Sequence, residues 1–175
     1  MATALLKDVT GSRGEKIVDL CLTDYSLLPG PLFEPAFLGA KWPALDFYVE
    51  LRTAGGAGLF FFGQAKSTAA TLKTRARVLH ISTDRDDIDR LRRIPAPTYI
   101  MGVHEPSKRV FVRAVHGATP SKAITSIPLS HELKSAKLQI LHDEVLAHWG
   151  TVKRTGKKSV IHGVCPSKPT TSAFT

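Results

Sequence analysis

The sequence predicts a mixed α/β domain, in which a sheet built around β-hairpins is flanked by helices. Two segments alternate apolar and polar residues on either side of a turn signal, which is the period of a half-buried strand. Two other segments repeat apolar residues at helical spacing, and a third has a helix cap with acidic residues in its first turn and arginines in its last. At 175 residues, the chain is the size of one domain that buries roughly two thirds of its unfolded surface. The order helix, hairpin, helix, hairpin, helix therefore favours helices packed on a central sheet.

The first helix is predicted to begin near Gly11. Ile17 and Cys21 are four residues apart and lie on one helical face. Ser12 lies three residues before Glu15, a spacing typical of a capping box at a helix N-terminus. Glu15 is also a candidate functional-site residue, and the two roles are compatible.

The first hairpin is predicted between residues 44 and 66. Residues 29–43, with four prolines, precede it and are expected to form a loop with one short strand. The first strand of the hairpin alternates apolar and polar residues and ends at a glycine-rich turn at residues 54–58. One face is expected to carry the apolar side chains of Leu45, Phe47, Val49 and Leu51, and the other the side chains of Asp46, Tyr48 and Glu50.

The second half of the chain is predicted to form a helix, a hairpin and a final helix. Thr83 is expected to cap a helix over residues 84–93, which has acidic residues in its first turn and arginines in its last. A second hairpin is predicted from Thr98–His104 and Arg109–Val115. The final helix is predicted over residues 134–149 from its apolar stripe, which consists of Leu138, Leu141, Val145, Leu146 and Trp149.

The charge of the chain favours polyanionic partners. There are 24 Lys and Arg against 15 Asp and Glu, a formal net charge of +9. Residues 151–175 contain five of the basic residues and no acidic one, so residues 1–150 are expected to form the domain and 151–175 a mobile basic tail.

Two classes of protein are disfavoured. Cys21 and Cys165 lie far apart without CxxC spacing, which argues against a disulfide framework or a zinc site. The chain has no apolar run of about 18 residues and no signal-peptide pattern at its start. We therefore expect a soluble cytoplasmic protein without a membrane partner.

Polar residues interrupt the first hairpin at its open end. If the chain reverses at Gly55 or Gly56, paired positions sum to about 110 or 112, and Asp46 lies opposite Gln64 or Lys66. Gln64 and Lys66 are two residues apart and share a face. The three side chains are therefore predicted to converge within about 5 to 8 Å.

Such a group suits a hard cation. The carboxylate of Asp46, the amide oxygen of Gln64 and the carbonyl of Ala65 are ligands that Mg²⁺ accepts, with Mn²⁺ as a substitute. Lys66 could stabilise charge on a phosphate or help to deprotonate an attacking water. The expected chemistry is metal-assisted phosphodiester hydrolysis.

These residues resemble the PD-(D/E)xK nuclease superfamily. Its pattern of an acid on one strand followed by Glu or Gln, any residue and Lys on the next reads here as Asp46, seventeen residues, then Gln64-Ala65-Lys66. Members commonly add a glutamate on the preceding helix, where Glu15 stands in "GSRGEKIVDL". The chain from residue 11 to about 115 is similar to the branch called domain of unknown function 4365, related to Mrr-like restriction endonucleases.

The resemblance implies a restriction-endonuclease-like core and a Mg²⁺-dependent nuclease acting on DNA in preference to RNA. It implies Asp46, Gln64, Lys66 and Glu15 as catalytic residues, with Asp46, Gln64 and the Ala65 carbonyl as metal ligands. One departure is Gln64 in place of the commoner Glu, which removes a negative charge and should weaken ion binding. The resemblance also implies a role in a prokaryotic defence or DNA-processing system, such as the effector of anti-phage defence or restriction. A single domain that cuts both strands would usually form a homodimer or join a targeting subunit, so either association is expected.

Basic residues provide candidate contacts to nucleic-acid phosphates. These are Arg90, Arg92 and Arg93 at the end of the second helix and Lys153, Arg154, Lys157 and Lys158 in the tail. The preference of a helix C-terminus for cations is the stronger explanation of the three arginines, and the tail could serve solubility alone. Two further alternatives stay open for the whole chain: a catalytically inactive nucleic-acid-binding or scaffold subunit, and an RNA-cleaving toxin.

Overall fold

In the part of the chain that the structure describes, a mixed sheet of five strands is flanked by three α-helices. The structure, a computed structural model, describes residues 2–26, 28–39, 42–52, 58–72, 75, 77–116 and 123–151. Its α-helices are α1 (Ala2–Leu22), α2 (Arg85–Arg93) and α3 (Ser135–Thr151). The strands are β1 (Phe33–Phe37), β2 (Phe47–Leu51), β3 (Phe60–Thr68), β4 (Val78–His80), β5 (Thr98–His104), β6 (Arg109–Ala114) and β7 (Ser126–Pro128).

The strand order of the main sheet is β1-β2-β3-β5-β6. Only β3 and β5 run parallel; β1 with β2, β2 with β3 and β5 with β6 are antiparallel. A parallel pair needs a crossover connection, and here the segment that carries β4 and α2 provides it. β4 pairs with β7 in a separate two-stranded sheet.

The main sheet is covered on both faces, which divides the core into two clusters. α1 and α3 contribute Val18, Leu22, Leu138, Leu141 and Val145 to the first cluster. α2, β4 and β7 contribute Ile88, Leu91, Leu79 and Ile127 to the second cluster. Side chains of β3 alternate between the two, with Phe61 in the first and Phe62 packed against the second. The central strand is therefore enclosed from both sides.

Most of the regular elements agree with the sequence predictions. The first hairpin pairs Phe47 with Gly63 and Glu50 with Phe60, so paired positions sum to 110, one of the two predicted registers. The second hairpin, the short strand before the first and α3 are also present. The reversal at residues 53–57 and the tail at 152–175 lie outside the described residues.

The start of α1 corrects a prediction. The helix begins at Ala2 instead of near Gly11, so Ser12 and Glu15 are interior helical residues and form no capping box. Ala, Leu and Lys at the start of the chain are strong helix formers, which is enough to extend the helix through Gly11. Capping therefore does not explain Glu15.

The start of α2 corrects the prediction that Thr83 caps this helix. Asp84, not Thr83, is the N-cap, and its carboxylate accepts a hydrogen bond from the backbone N–H of Asp86. Thr83 is buried, and its hydroxyl instead bonds both the carbonyl and the N–H of Ile124 at 2.8 Å. The two three-residue strands β4 and β7 have no counterpart in the sequence predictions.

Among the described residues, no helix combines the length and apolar character needed to cross a bilayer.

Candidate active site

Gln64, Lys66 and Asp87 meet on the face of the sheet that α2 covers. Gln64 lies in the middle of β3 and is only 4% exposed. Its Nε2 donates a hydrogen bond to Asp87 Oδ2 at 3.1 Å. Lys66 Nζ lies 3.4 Å from the same carboxylate oxygen. The structure thus brings together two predicted site residues and one acid that was not predicted.

The amide oxygen of Gln64 is a buried acceptor whose hydrogen-bond donor is missing among the described residues. Gln64 Oε1 is buried, and no described residue donates to it. The alternative amide orientation would place this oxygen against Asp87, and an ionised carboxylate only accepts hydrogen bonds. A buried acceptor without a partner costs about 1–3 kcal/mol. The site therefore holds a buried oxygen that is fixed in direction and whose acceptor capacity no described residue uses.

The Asp46 side chain lies at the edge of β3 that pairs with β2. Leu45 packs in the second cluster and Phe47 in the first, so the alternation of faces slips at Asp46. The backbone N–H of Asp46 donates at 3.0 Å to the carbonyl of Gly63, which is also the partner of Phe47. Two residues thus oppose one, as in a β-bulge. This corrects the prediction that Asp46 lies directly opposite Gln64 or Lys66 and that Leu45 shares the face of Phe47.

The Asp46 carboxylate is held at Ala65. The backbone N–H of Ala65 donates to Asp46 Oδ2 at 2.7 Å. The N–H and C=O of one strand residue point to the same edge of the strand, so the Ala65 carbonyl also lies on the Asp46 side of β3. The carbonyl predicted as a ligand and the carboxylate therefore share one edge.

The acidic groups of this region affect one another's ionisation. Burial raises the pKa of Asp46, the Ala65 N–H and Lys66 oppose that rise, and Asp87 adds to it. Burial also raises the pKa of Glu15, with a further rise from the charge of Asp46. The pKa of each carboxyl rises because its anionic form is poorly solvated and repelled by a neighbour, and a nearby cation would relieve both effects.

Glu15 approaches from the opposite face of the sheet. α1 packs closely on β3 at Gly14, where a Cβ atom would lie 2.9 Å from Ser67 Cβ. Glu15 follows Gly14 and lines a cavity of about 480 Å³, together with Phe37 and Phe47. Glu15 is thus near Asp46 but separated from Gln64 and Lys66 by the plane of the sheet.

The predicted phosphate contacts are only partly described. Arg90, Arg92 and Arg93 are exposed in the last turn of α2. Arg90 is one helical turn beyond Asp87, so this helix joins the candidate site to a basic surface. Lys153, Arg154, Lys157 and Lys158 lie outside the described residues.

Sequence reasoning missed Asp87. Its position in the first turn of α2 was explained fully by the preference of a helix N-terminus for negative charge. A crossover helix returns the chain to the start of the next parallel strand, so its N-terminus lies towards the carboxyl end of the preceding one. A prediction that β3 and β5 are parallel would therefore have placed Asp87 beside the "QAK" segment.

Within the described ranges, no three His, Cys, Asp or Glu side chains are grouped closely enough to hold a metal ion. No protein-family model matches the sequence, and no curated protein shows significant similarity to it.

Proposed function

We propose that the protein is a Mg²⁺-dependent nuclease that hydrolyses phosphodiester bonds, with DNA as the expected substrate. The observation that carries the proposal is Gln64 Oε1, which is buried and accepts no hydrogen bond from the described residues. It belongs to a side chain whose Nε2 shares the Asp87 carboxylate with Lys66. An amide oxygen in that state is stabilised by a cation.

The donor set fits Mg²⁺. Asp46, Gln64 Oε1 and the Ala65 carbonyl would hold the ion, and all three donors are oxygens, as a hard cation requires. Mg²⁺ usually keeps several waters and takes one or two carboxylates, so a site without three acidic or imidazole side chains suits it. Such an ion, when bound, lowers the pKa of a water and polarises a phosphate oxygen.

The remaining side chains support the same reaction. Lys66 carries a positive charge to the site and is 27% exposed, so a phosphate oxygen can approach it from solvent. Glu15 stays in the proposal as a group that assists from α1 through its proximity to Asp46, because burial and then the charge of Asp46 raise its pKa. The exposed arginines of α2 would bind phosphates beyond the scissile one, so affinity should fall steeply with salt.

The arrangement of elements supports a restriction-endonuclease-like core. Gln64 and Lys66 lie on the second strand of a β-hairpin, and Asp46 directly precedes its first strand. That second strand is central in a mixed sheet with helices on both faces. Prokaryotic anti-phage defence or restriction, in a homodimer or with a targeting subunit, remains part of the proposal.

A cleavage assay with matched variants tests the proposal. Supercoiled plasmid, single-stranded DNA and RNA are incubated with the protein in Mg²⁺, in Mn²⁺ and with a chelator. We expect metal-dependent cleavage of DNA that Asp46→Asn and Lys66→Ala each reduce by at least about a hundredfold. Glu34→Gln removes the same charge as Asp46→Asn from a side chain that is 66% exposed and should cleave like the wild type.

Two results would overturn the proposal. If the folded wild type cleaves none of the substrates, or if the Asp46 and Lys66 variants cleave equally well, the site does not perform this reaction. Cleavage of RNA alone would replace the expected substrate and favour the toxin alternative.

A further inference from the structure

We infer that Asp87 is a positioning residue whose carboxylate orients both Gln64 and Lys66. The inference rests on the proposed function, because it assigns how that site is held in its working arrangement. Its basis is the pair of contacts at one oxygen, Asp87 Oδ2, at 3.1 Å from the Gln64 amide and 3.4 Å from the Lys66 ammonium.

The backbone makes this double contact possible. Gln64 and Lys66 are two residues apart on β3, so their side chains point to the same face about 7 Å apart at the backbone. A single carboxylate above that face can bond both. Asp87 is held there because α2 is capped by Asp84 and anchored by the buried side chain of Ile88.

The contact decides which atom Gln64 presents. A glutamine amide can rotate by half a turn at little cost, which would exchange its oxygen and nitrogen. Asp87 accepts but does not donate, so it selects the orientation with Nε2 towards α2 and Oε1 away from it. Without the carboxylate, the amide would present its oxygen or its nitrogen to the site with similar ease.

The contact also limits Lys66. A lysine side chain carries roughly 2 kcal/mol of rotamer entropy, and Asp87 confines its ammonium to the region beside Gln64. Both groups are therefore arranged before a substrate arrives. Asp87 acts through its neighbours and needs no contact with the reacting atoms.

The test compares Asp87→Asn with Asp86→Asn. Both variants remove one negative charge from the first turn of α2, but Asp86 is exposed. The introduced amide at position 87 can donate to Gln64 Oε1 and so engage the oxygen. We expect Asp87→Asn to weaken Mn²⁺ binding, measured by electron paramagnetic resonance without nucleic acid, by about tenfold or more. Asp86→Asn should bind Mn²⁺ like the wild type.

A nuclear magnetic resonance measurement reads the contact directly. In the wild type, the side-chain amide protons of Gln64 should exchange slowly with solvent, and Asp87→Asn should shift their resonances while Asp86→Asn should not. In turnover, Asp87→Asn should lower kcat with KM for DNA little changed, because α2's arginines are intact. Asp87→Glu, which keeps the charge and the acceptor, should restore most of the lost kcat.

The outcomes separate this inference from the proposed function. If the wild type cleaves nothing, the nuclease proposal fails, while the exchange of the Gln64 amide still decides whether Asp87 holds it. Rapid exchange in the wild type would overturn the inference even if Asp87→Asn does not fold. Equal Mn²⁺ affinity and unchanged Gln64 resonances in Asp87→Asn and Asp86→Asn would overturn it as well.

Discussion

Gly14 lets α1 approach β3 closely enough to place Glu15 near Asp46. An ideal Cβ on Gly14 would lie 1.6 Å from Ser67 Oγ and 2.9 Å from Ser67 Cβ. Rotation of Ser67 removes the first conflict but not the second, because its Cβ is fixed to the strand. The variant Gly14→Ala therefore forces α1 to retreat from β3 by roughly half an ångström or more, since ordinary contacts begin near 3.4 Å.

The free energy of this change has two opposing parts. Replacing Gly by Ala inside a helix stabilises it by about 0.8–1 kcal/mol. Overpacking a close contact costs about 1–3 kcal/mol. The helix of Gly14 also contains Gly11, where a Cβ would meet nothing within 4 Å, so Gly11→Ala measures the propensity gain alone. We expect the two variants to differ by about 1–3 kcal/mol in the free energy of unfolding.

Urea denaturation followed by circular dichroism measures both values, with unchanged m-values as the check on two-state unfolding. The double variant Gly14→Ala with Ser67→Gly should recover most of the overpacking cost, because the opposing Cβ is gone. If Gly14→Ala stabilises the protein as much as Gly11→Ala does, the close packing of α1 on β3 at this point is wrong.

Three further predictions follow from other contacts. Gln64→Glu places a buried carboxylate beside the partly exposed one of Asp87, so it should lower Tm without divalent ions and enlarge the rise in Tm that Mg²⁺ produces, as calorimetry would show. Hydrogen bonding to Glu144 raises the pKa of His116 above 6.5, and the same contact lowers the pKa of Glu144 below 4.5. The His116–Glu144 pair therefore contributes its full stabilisation between pH 4.5 and pH 6.5, and this stabilisation is lost as pH rises through the raised pKa of His116. Glu144→Gln should cost about 1 kcal/mol near pH 6 and less at pH 9 in urea denaturation. In Gly102→Ala, the added Cβ would lie 2.8 Å from Leu79 Cδ2 in β4 and 2.9 Å from Ile127 Cδ1 in β7. This variant should destabilise the fold by about 1–3 kcal/mol in the same assay.

Local patterns were sufficient for the hairpins and for the last helix. Alternation over residues 47–51 and the glycine-rich segment after it reduced the register of β2 with β3 to two possibilities, and the structure has one of them. The prediction for Asp46 was wrong, because a β-bulge there shifts the alternation of faces by one residue. A bulge depends on how the chain enters the strand from the loop before it, and period-two reasoning contains no signal for that.

The sequence by itself determined the two hairpins, the helical stripe of α3 and the proximity of Gln64 and Lys66, because these depend on spacings of a few residues. Only the tertiary structure decided that β3 and β5 are parallel, that Asp87 joins the site and that the amide oxygen of Gln64 is left without a donor. The physical reason is separation along the chain: Asp87 is 21 residues from Lys66, and their contact exists only because the crossover packs α2 on the sheet.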